Sequence, residues 1–243
     1  MRGISRACAG AIASVGLALA GCGGGGGNGN AVPPPPPANF NMQTGIANMV
    51  AHGLTANVSL SGSVNVNGTS TPFTGSGTYT RSAAVNGTFN GAVASAQTQT
   101  ISGTVTAAGQ SSPYSASVTD YYATGNSAFL GEVAANEYDV AQAPFQYPGM
   151  VVGGSAGTLG TVSRYTDNTM SVSLGTAQVS YTVQAPVDPG SPIGITLTDK
   201  IYDAQNALLE TDVTNFTMTS SNVISFVSAS AQRQSGTITV TAQ

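Results

Sequence analysis

From Thr55 onward the chain alternates. Val58, Leu60, Gly62, Val64 and Val66 fall on one side of a period of two, and Asn57, Ser59, Ser61, Ser63 and Asn65 on the other, as a half-buried strand requires. Asn67-Gly68 follows at once, the dipeptide that favours a type I′ hairpin. The next strand alternates again, with Phe73, Gly75, Gly77 and Tyr79 opposite Thr74, Ser76, Thr78 and Thr80. Val85, Gly87, Phe89, Gly91 and Val93 repeat the design, as do Ile101, Gly103 and Val105, and Tyr114 to Tyr122 form a further strand. A second alternating tract holds Met170, Val172 and Leu174; Val179, Tyr181 and Val183; Ile193, Ile195, Leu197 and Ile201; then Leu209 to Met218, Val223 to Ala231 and Thr237 to Thr241. The pattern predicts an all-β chain, an antiparallel meander of about twelve strands forming a barrel, a half-barrel or two packed sheets.

Two stretches depart from that period. Ile46, Met49 and Val50 recur at helical spacing behind Asn39 or Asn41 as N-cap, and Gly53 stands where a C′ glycine belongs, so one short helix is expected before the strands. Residues 127–169 mix several aromatics with Pro144, Pro148 and the turn Gly153-Gly154-Ser155-Ala156-Gly157. They read as a long connection between two sheet halves, 54–124 and 127–243. On the inward face glycine replaces the usual Val or Leu at Gly62, Gly75, Gly77, Gly87, Gly91 and Gly103. Strong sheet curvature is the first reading of that substitution, bulges the second and clearance for a ligand the third.

The first forty residues are of another kind. Arg2 and Arg6 precede a run of small apolar residues too short to span a bilayer, the make-up of a secretory signal. Its end, Leu19-Ala20-Gly21-Cys22, resembles the lipobox of bacterial lipoproteins at all of its positions. The resemblance implies that residues 1–21 are removed, that Cys22 carries a diacylglycerol thioether, and that the new amino terminus is acylated, palmitate being the usual chain. It also implies a membrane as partner through the lipid on Cys22. Gly23 rather than an acidic residue after that cysteine resembles the pattern sorted to the outer membrane, on its periplasmic face or at the cell surface. Residues 22–38 follow as a tether, a glycine run from Gly23 to Gly27 and then Pro33 to Pro37, flexible coil and stiff polyproline in turn. Residues 39–243 are left as one β-rich domain.

Composition agrees with that division. Only 7% of the residues are charged, so Ser, Thr and Asn on the outward faces must keep the chain wet. The net charge is −4; loss of Arg2 and Arg6 leaves Arg81, Arg164, Lys200 and Arg233 against 10 acidic side chains. That balance gives no basic footprint for nucleic acid. Cys8 leaves with the signal and Cys22 is taken by lipid, so no disulfide is expected. The order of lipobox, Gly/Pro tether, short helix, SGSVNVNGTSTPFTGSGTYT, LGEVAANEYDV and GSAGTLGTVSRYTD resembles a betaproteobacterial lipoprotein family of unknown function. Its motifs are structural glycines, tyrosines and turns, and it implies no catalytic residue.

Candidate chemistry is sparse. His52 is the one imidazole, placed at a helix end rather than beside a nucleophile and an acid. Gly153-Gly154-Ser155-Ala156-Gly157 spells a nucleophile elbow, but without a helix pattern behind it. Two carboxylate groups stand out: Glu132, Glu137 and Asp139, and Asp199, Asp203, Glu210 and Asp212. Solvated turn residues are the plainest reading; an oxygen-only calcium site is an alternative, although no EF-hand spacing is present. The expectation is a non-enzymatic envelope lipoprotein with no cofactor and no metal, binding a protein or polysaccharide. The alternative is a carrier of a lipid or other hydrophobic ligand in a curved half-barrel.

Overall fold

The computed structural model describes residues 40–66, 69–233 and 235–243. Cys22, the tether and the Asn67-Gly68 turn lie outside the described residues. β1 (Phe40–Asn41) leads into α1 (Met42–His52), the helix expected from the sequence. Asn41 is its N-cap, and the side-chain oxygen accepts the Thr44 N–H at 2.9 Å, satisfying one donor that a helix start leaves open. Gly53 closes the helix at φ +72°, where a left-handed backbone favours glycine.

The strands follow as β2 (Leu54–Val66), β3 (Thr69–Arg81), β4 (Val85–Phe89), β5 (Ala92–Ala107), β6 (Gln110–Tyr122), β7 (Phe129–Ala134) and β8 (Glu137–Phe145). Then come β9 (Met150–Val151), β10 (Ala156–Tyr165), β11 (Ser173–Gln184), β12 (Ile193–Tyr202), β13 (Leu208–Met218), β14 (Ile224–Arg233) and β15 (Gly236–Ala242). All pairings are antiparallel. β15 returns to β2 with Val240 opposite Leu60, and β3 pairs with β5 with Gly77 opposite Gly103, so the sheet closes. Of the expected alternatives the chain therefore adopts the barrel. Twelve of the described strands form the ring, β4 is an extra strand attached to β5, and β1 pairs with β9. Closure removes the strand edges that an open sheet would leave for association.

The alternation decides which side faces in. Ser59, Ser61, Thr74, Ser76, Ser102 and Thr104 lie on the outer face, whereas Val58, Leu60, Tyr79 and Ile101 are buried inside. A membrane-spanning barrel has the reverse arrangement. Among the described residues no helix is long and apolar enough to cross a membrane. Met42, Ile46, Met49 and Val50 of α1 drop into one end of the barrel and join Ile195, Phe216, Met218, Phe226 and Val240. Gly45 lets the helix come close, because a Cβ there would meet Met218 Sδ at 2.6 Å. At the opposite, turn-bearing end the inward residues Val105, Ala107 and Tyr114 are only partly buried. The barrel is thus plugged by the helix at one end and more open at the other.

Two expectations need correction. The inward glycines are Gly62, Gly75, Gly77 and Gly103, and a Cβ on Gly77 would strike the Ser102 carbonyl oxygen while one on Gly103 would strike that of Ser76. Close backbone approach in a sharply bent wall, the curvature reading, accounts for that pair. Gly87 and Gly91 are not part of the wall: the sequence taken as one strand over Val85–Val93 turns at Asn90-Gly91, with φ of 50° and 75°. The resulting β4–β5 hairpin folds over the outside of β6–β8. Phe89 stacks on Tyr121 at 4.8 Å and on Tyr138 at 5.2 Å, closing a small outer cluster with Ala94, Leu130, Val133 and Val140.

That flap explains the second correction. Residues 127–169 are not a connection; they hold β7, β8, β9 and all of β10. β7 and β8 are apolar outward, where Val133, Tyr138 and Val140 meet the flap, and mixed inward, where Glu132 and Asp139 stand with Phe129 and Phe145 in the cavity wall, so they lack the one-sided alternation of the other strands. β7 also carries a register shift at Gly131, where the Phe89 ring covers the backbone. Pairing of Tyr122 with Phe129 carries the sheet across the junction of the two sequence halves.

Candidate functional site

Inside the barrel, between the helix plug and the turn-bearing end, lies a cavity of about 140 Å³. Its wall is both aromatic and charged. Tyr122, Phe129, Phe145, Tyr147 and Phe216 supply rings, and Arg81, Asp120, Glu132, Asp139, Asp199 and Asp212 supply ionisable groups.

Arg81, the last residue of β3, is the hub of the buried polar network. Its Nη1 donates to Asp120 Oδ2 at 2.9 Å and Gln97 Oε1 at 3.0 Å, Nη2 donates to Gln99 Oε1 at 3.1 Å, and Nε donates to the Tyr79 hydroxyl at 2.8 Å. Tyr122 donates its hydroxyl to Asp120 Oδ2 at 3.2 Å. Gln97, fully buried, donates to the Met49 carbonyl at 2.8 Å and the Ser82 carbonyl at 2.9 Å. The same network that holds the guanidinium thus fastens the last turn of α1 to the barrel wall. Such satisfaction is required, since an unmatched buried polar group costs about 1–3 kcal/mol.

Burial works against the charge on Arg81, but Tyr79, Asp120 and Tyr122 around it outweigh burial and hold it above its usual value. For Asp120 burial is the larger effect and raises its carboxyl, with Arg81 pulling the other way. Burial likewise raises the Tyr122 and Tyr147 hydroxyls. Glu132 stands opposite Asp120 in the β6–β7 register. Glu132 in turn faces Asp139 across β7–β8, and Asp139 faces Arg164 across β8–β10. On the other wall Asp199 and Asp212 are direct partners across β12–β13. Like charges placed directly opposite destabilise a sheet by roughly 0.2–1 kcal/mol per pair at ordinary exposure.

At the open end two ion pairs stand beside the mouth, Arg164 Nε to Glu137 Oε1 at 2.6 Å and Arg233 Nε to Glu210 Oε1 at 2.6 Å. The two carboxylate groups noticed in the sequence are therefore brought to one barrel interior. Asp139, Glu210 and Asp212 are buried, and Glu132 and Asp199 line the cavity, which corrects their reading as solvated turn residues. Only Asp203 keeps that role, its Oδ1 accepting the Gln205 and Ala207 N–H groups. The physical reason is register: Glu137 and Asp139, and Glu210 and Asp212, are spaced by two along strands whose alternate positions point inward. Arg81, Gln97, Gln99 and Asp120 were missed; polar residues on the inward phase of apolar strands were the signal available for them.

The other sequence candidates stay apart from the cavity. His52 is exposed at the end of α1. Ser155 Oγ accepts the Val152 N–H at 3.0 Å inside a turn that runs into β10, not into a helix. Among the described residues no group of three or more His, Cys, Asp and Glu is arranged to hold a metal ion. Cys22 lies outside the described residues.

No protein-family model matches the chain, and no curated protein matches it. Among solved structures it is similar to a domain from Vibrio parahaemolyticus assigned to the outer membrane lipoprotein-sorting proteins, at 10% identity over 83% of this chain and 88% of that one, with a TM-score of 0.29. A likeness of that size carries no functional argument.

Proposed function

We propose that the chain is an exported envelope lipoprotein, held to the membrane by lipid on Cys22, whose barrel binds a compact polar ligand without catalysing its conversion. The cavity carries this reading: a space of about 140 Å³ enclosed by a closed barrel, lined by five carboxyl-bearing residues, Arg81 and a set of aromatic rings. Its ligand is small and polar, with charge complementary to that wall. An acyl chain fits less well, because it would desolvate the carboxyls and exceed the space; a cavity of about 150 Å³ takes a molecule the size of benzene. Carriage of a long hydrophobic ligand would require the helix plug to move.

The test is a chamber-filling substitution. Ala116 lines the cavity from β6, and Ala116→Phe should occupy it while leaving the fold intact by circular dichroism. Small molecules released by denaturing the purified wild type should include one that the variant lacks. If both release the same set, the cavity is not a binding site.

A further inference from the structure

Four exposed apolar side chains surround the place where the described chain begins. Met150 is 58%, Val152 63%, Val187 93% and Val223 55% exposed. Their loops are fastened to Phe40 and Asn41. Asn41 pairs with Met150, the Asn41 N–H donates to Asn222 Oδ1 at 2.8 Å, and the Met42 N–H donates to the Gly149 carbonyl at 2.9 Å. The loop bearing Val187 is joined at its base, where the Gly154 N–H donates to the Val183 carbonyl at 2.8 Å. Across the segments 40–44, 146–155, 185–192 and 219–223 the only charged side chain is Asp188. The opposite rim also exposes Met170, Val172, Leu208 and Leu209, but it carries more charge than the single Asp188 here, with Asp167 and Asp203 in those turns and the Arg164–Glu137 and Arg233–Glu210 pairs beside the mouth, and charge opposes entry into lipid.

The geometry points to the helix-end rim as a face that rests on the lipid surface, an inference that builds on the anchor reading of Cys22. The stretch from Cys22 to Phe40 reaches about 60 Å at full extension. That reach keeps the rim at an effective concentration on the order of millimolar against its own membrane, so a contact too weak to recruit a free protein suffices for a tethered one. Without Lys or Arg on the rim the attraction is apolar, and it persists at high salt. The face set on the membrane is the plugged end, which leaves the open end of the chamber pointing away from lipid.

The experiment uses the full lipidated chain reconstituted in vesicles of phosphatidylethanolamine with a minor share of phosphatidylglycerol. Cys8 is removed with the signal and Cys22 is alkylated, so Val187→Cys, Val152→Cys or Asn206→Cys each supplies one labelling site for an environment-sensitive fluorophore. Flotation with the vesicles is read first. The expected result is flotation, with blue-shifted emission and several-fold stronger quenching by spin-labelled lipid at Val187 and Val152 than at Asn206 on the opposite rim. Flotation with water-like emission at all three sites overturns the rim contact and leaves the anchor standing. A lipid signal at Asn206 alone overturns the orientation. A chain that fails to float overturns the anchor and the rim contact together.

Discussion

Arg81 spends its donors on Tyr79, Gln97, Gln99 and Asp120, and this density of partners is what makes a buried guanidinium tolerable. Its side chain is 12% exposed and that of Asp120 4%. Arg81→Met would leave the Asp120 carboxylate buried without its counter-charge, at a cost of about 3–5 kcal/mol in denaturant unfolding at neutral pH. The loss should shrink in acid, where Asp120 takes up a proton. Asp120 sets the sign of a wider pH effect. Its folded carboxyl is raised, so its contribution to stability is complete below the unfolded value of about 3.9 and is lost as pH rises through the folded value. Asp199 and Asp212, facing partners inside the same wall, add repulsion of the same sign. The melting temperature is therefore expected to fall as pH rises above about 4, the unfolded carboxyl value. Asp212→Asn should stabilise the fold by up to about 1 kcal/mol at the upper end and flatten the profile. A wild type that melts higher at the alkaline end would show the carboxyls to be stabilised as anions.

At the level of strands and helix, the wall pair Gly77 and Gly103 and the flap residue Phe89 make opposite forecasts. Gly103→Val puts a side chain against the Ser76 carbonyl in the closing β3–β5 pair and should cost about 3 kcal/mol or more, read as loss of cooperative unfolding or of soluble expression. Phe89→Ala removes the ring that covers Gly131 from outside. It should raise amide exchange through β4 and the first half of β5, while β2, β15 and α1 keep their protection. Equal loss throughout would show that the flap is part of the barrel's cooperative unit. The helix and the one-sided strands were legible in sequence because each has one apolar face and one wet one, as in Val58 and Leu60 against Ser59 and Ser61. β7 and β8 were not, since Leu130, Val133 and Val140 point out to a flap that no local pattern announces. The Asn90-Gly91 turn is hidden in the sequence, because Val85, Gly87, Phe89, Gly91 and Val93 keep perfect alternation straight through it. The chamber was half legible: its carboxylates stood out as two groups, but only the closure of the barrel brings β6–β8 and β12–β13 to one interior.

Across the whole molecule, the described residues form a barrel with a Ser/Thr exterior, and the proposal places an export and tether segment ahead of it. Low charge follows from that construction, since most acidic and basic side chains of the barrel are spent on its interior or its open mouth, and hydroxyl side chains wet the outside. If Cys22 carries the anchor, Cys22→Ser should move the protein from the detergent phase to the aqueous phase, and an unchanged partition would remove the lipid from the account. The most direct measurement is native mass spectrometry of the full chain extracted from the envelope in mild detergent. The expected spectrum shows a chain beginning at Cys22 with lipid mass attached, together with a small adduct that collisional activation releases and that Ala116→Phe lacks. A spectrum of the same chain free of any adduct, or with an adduct that survives in Ala116→Phe, would contradict a ligand held in the barrel.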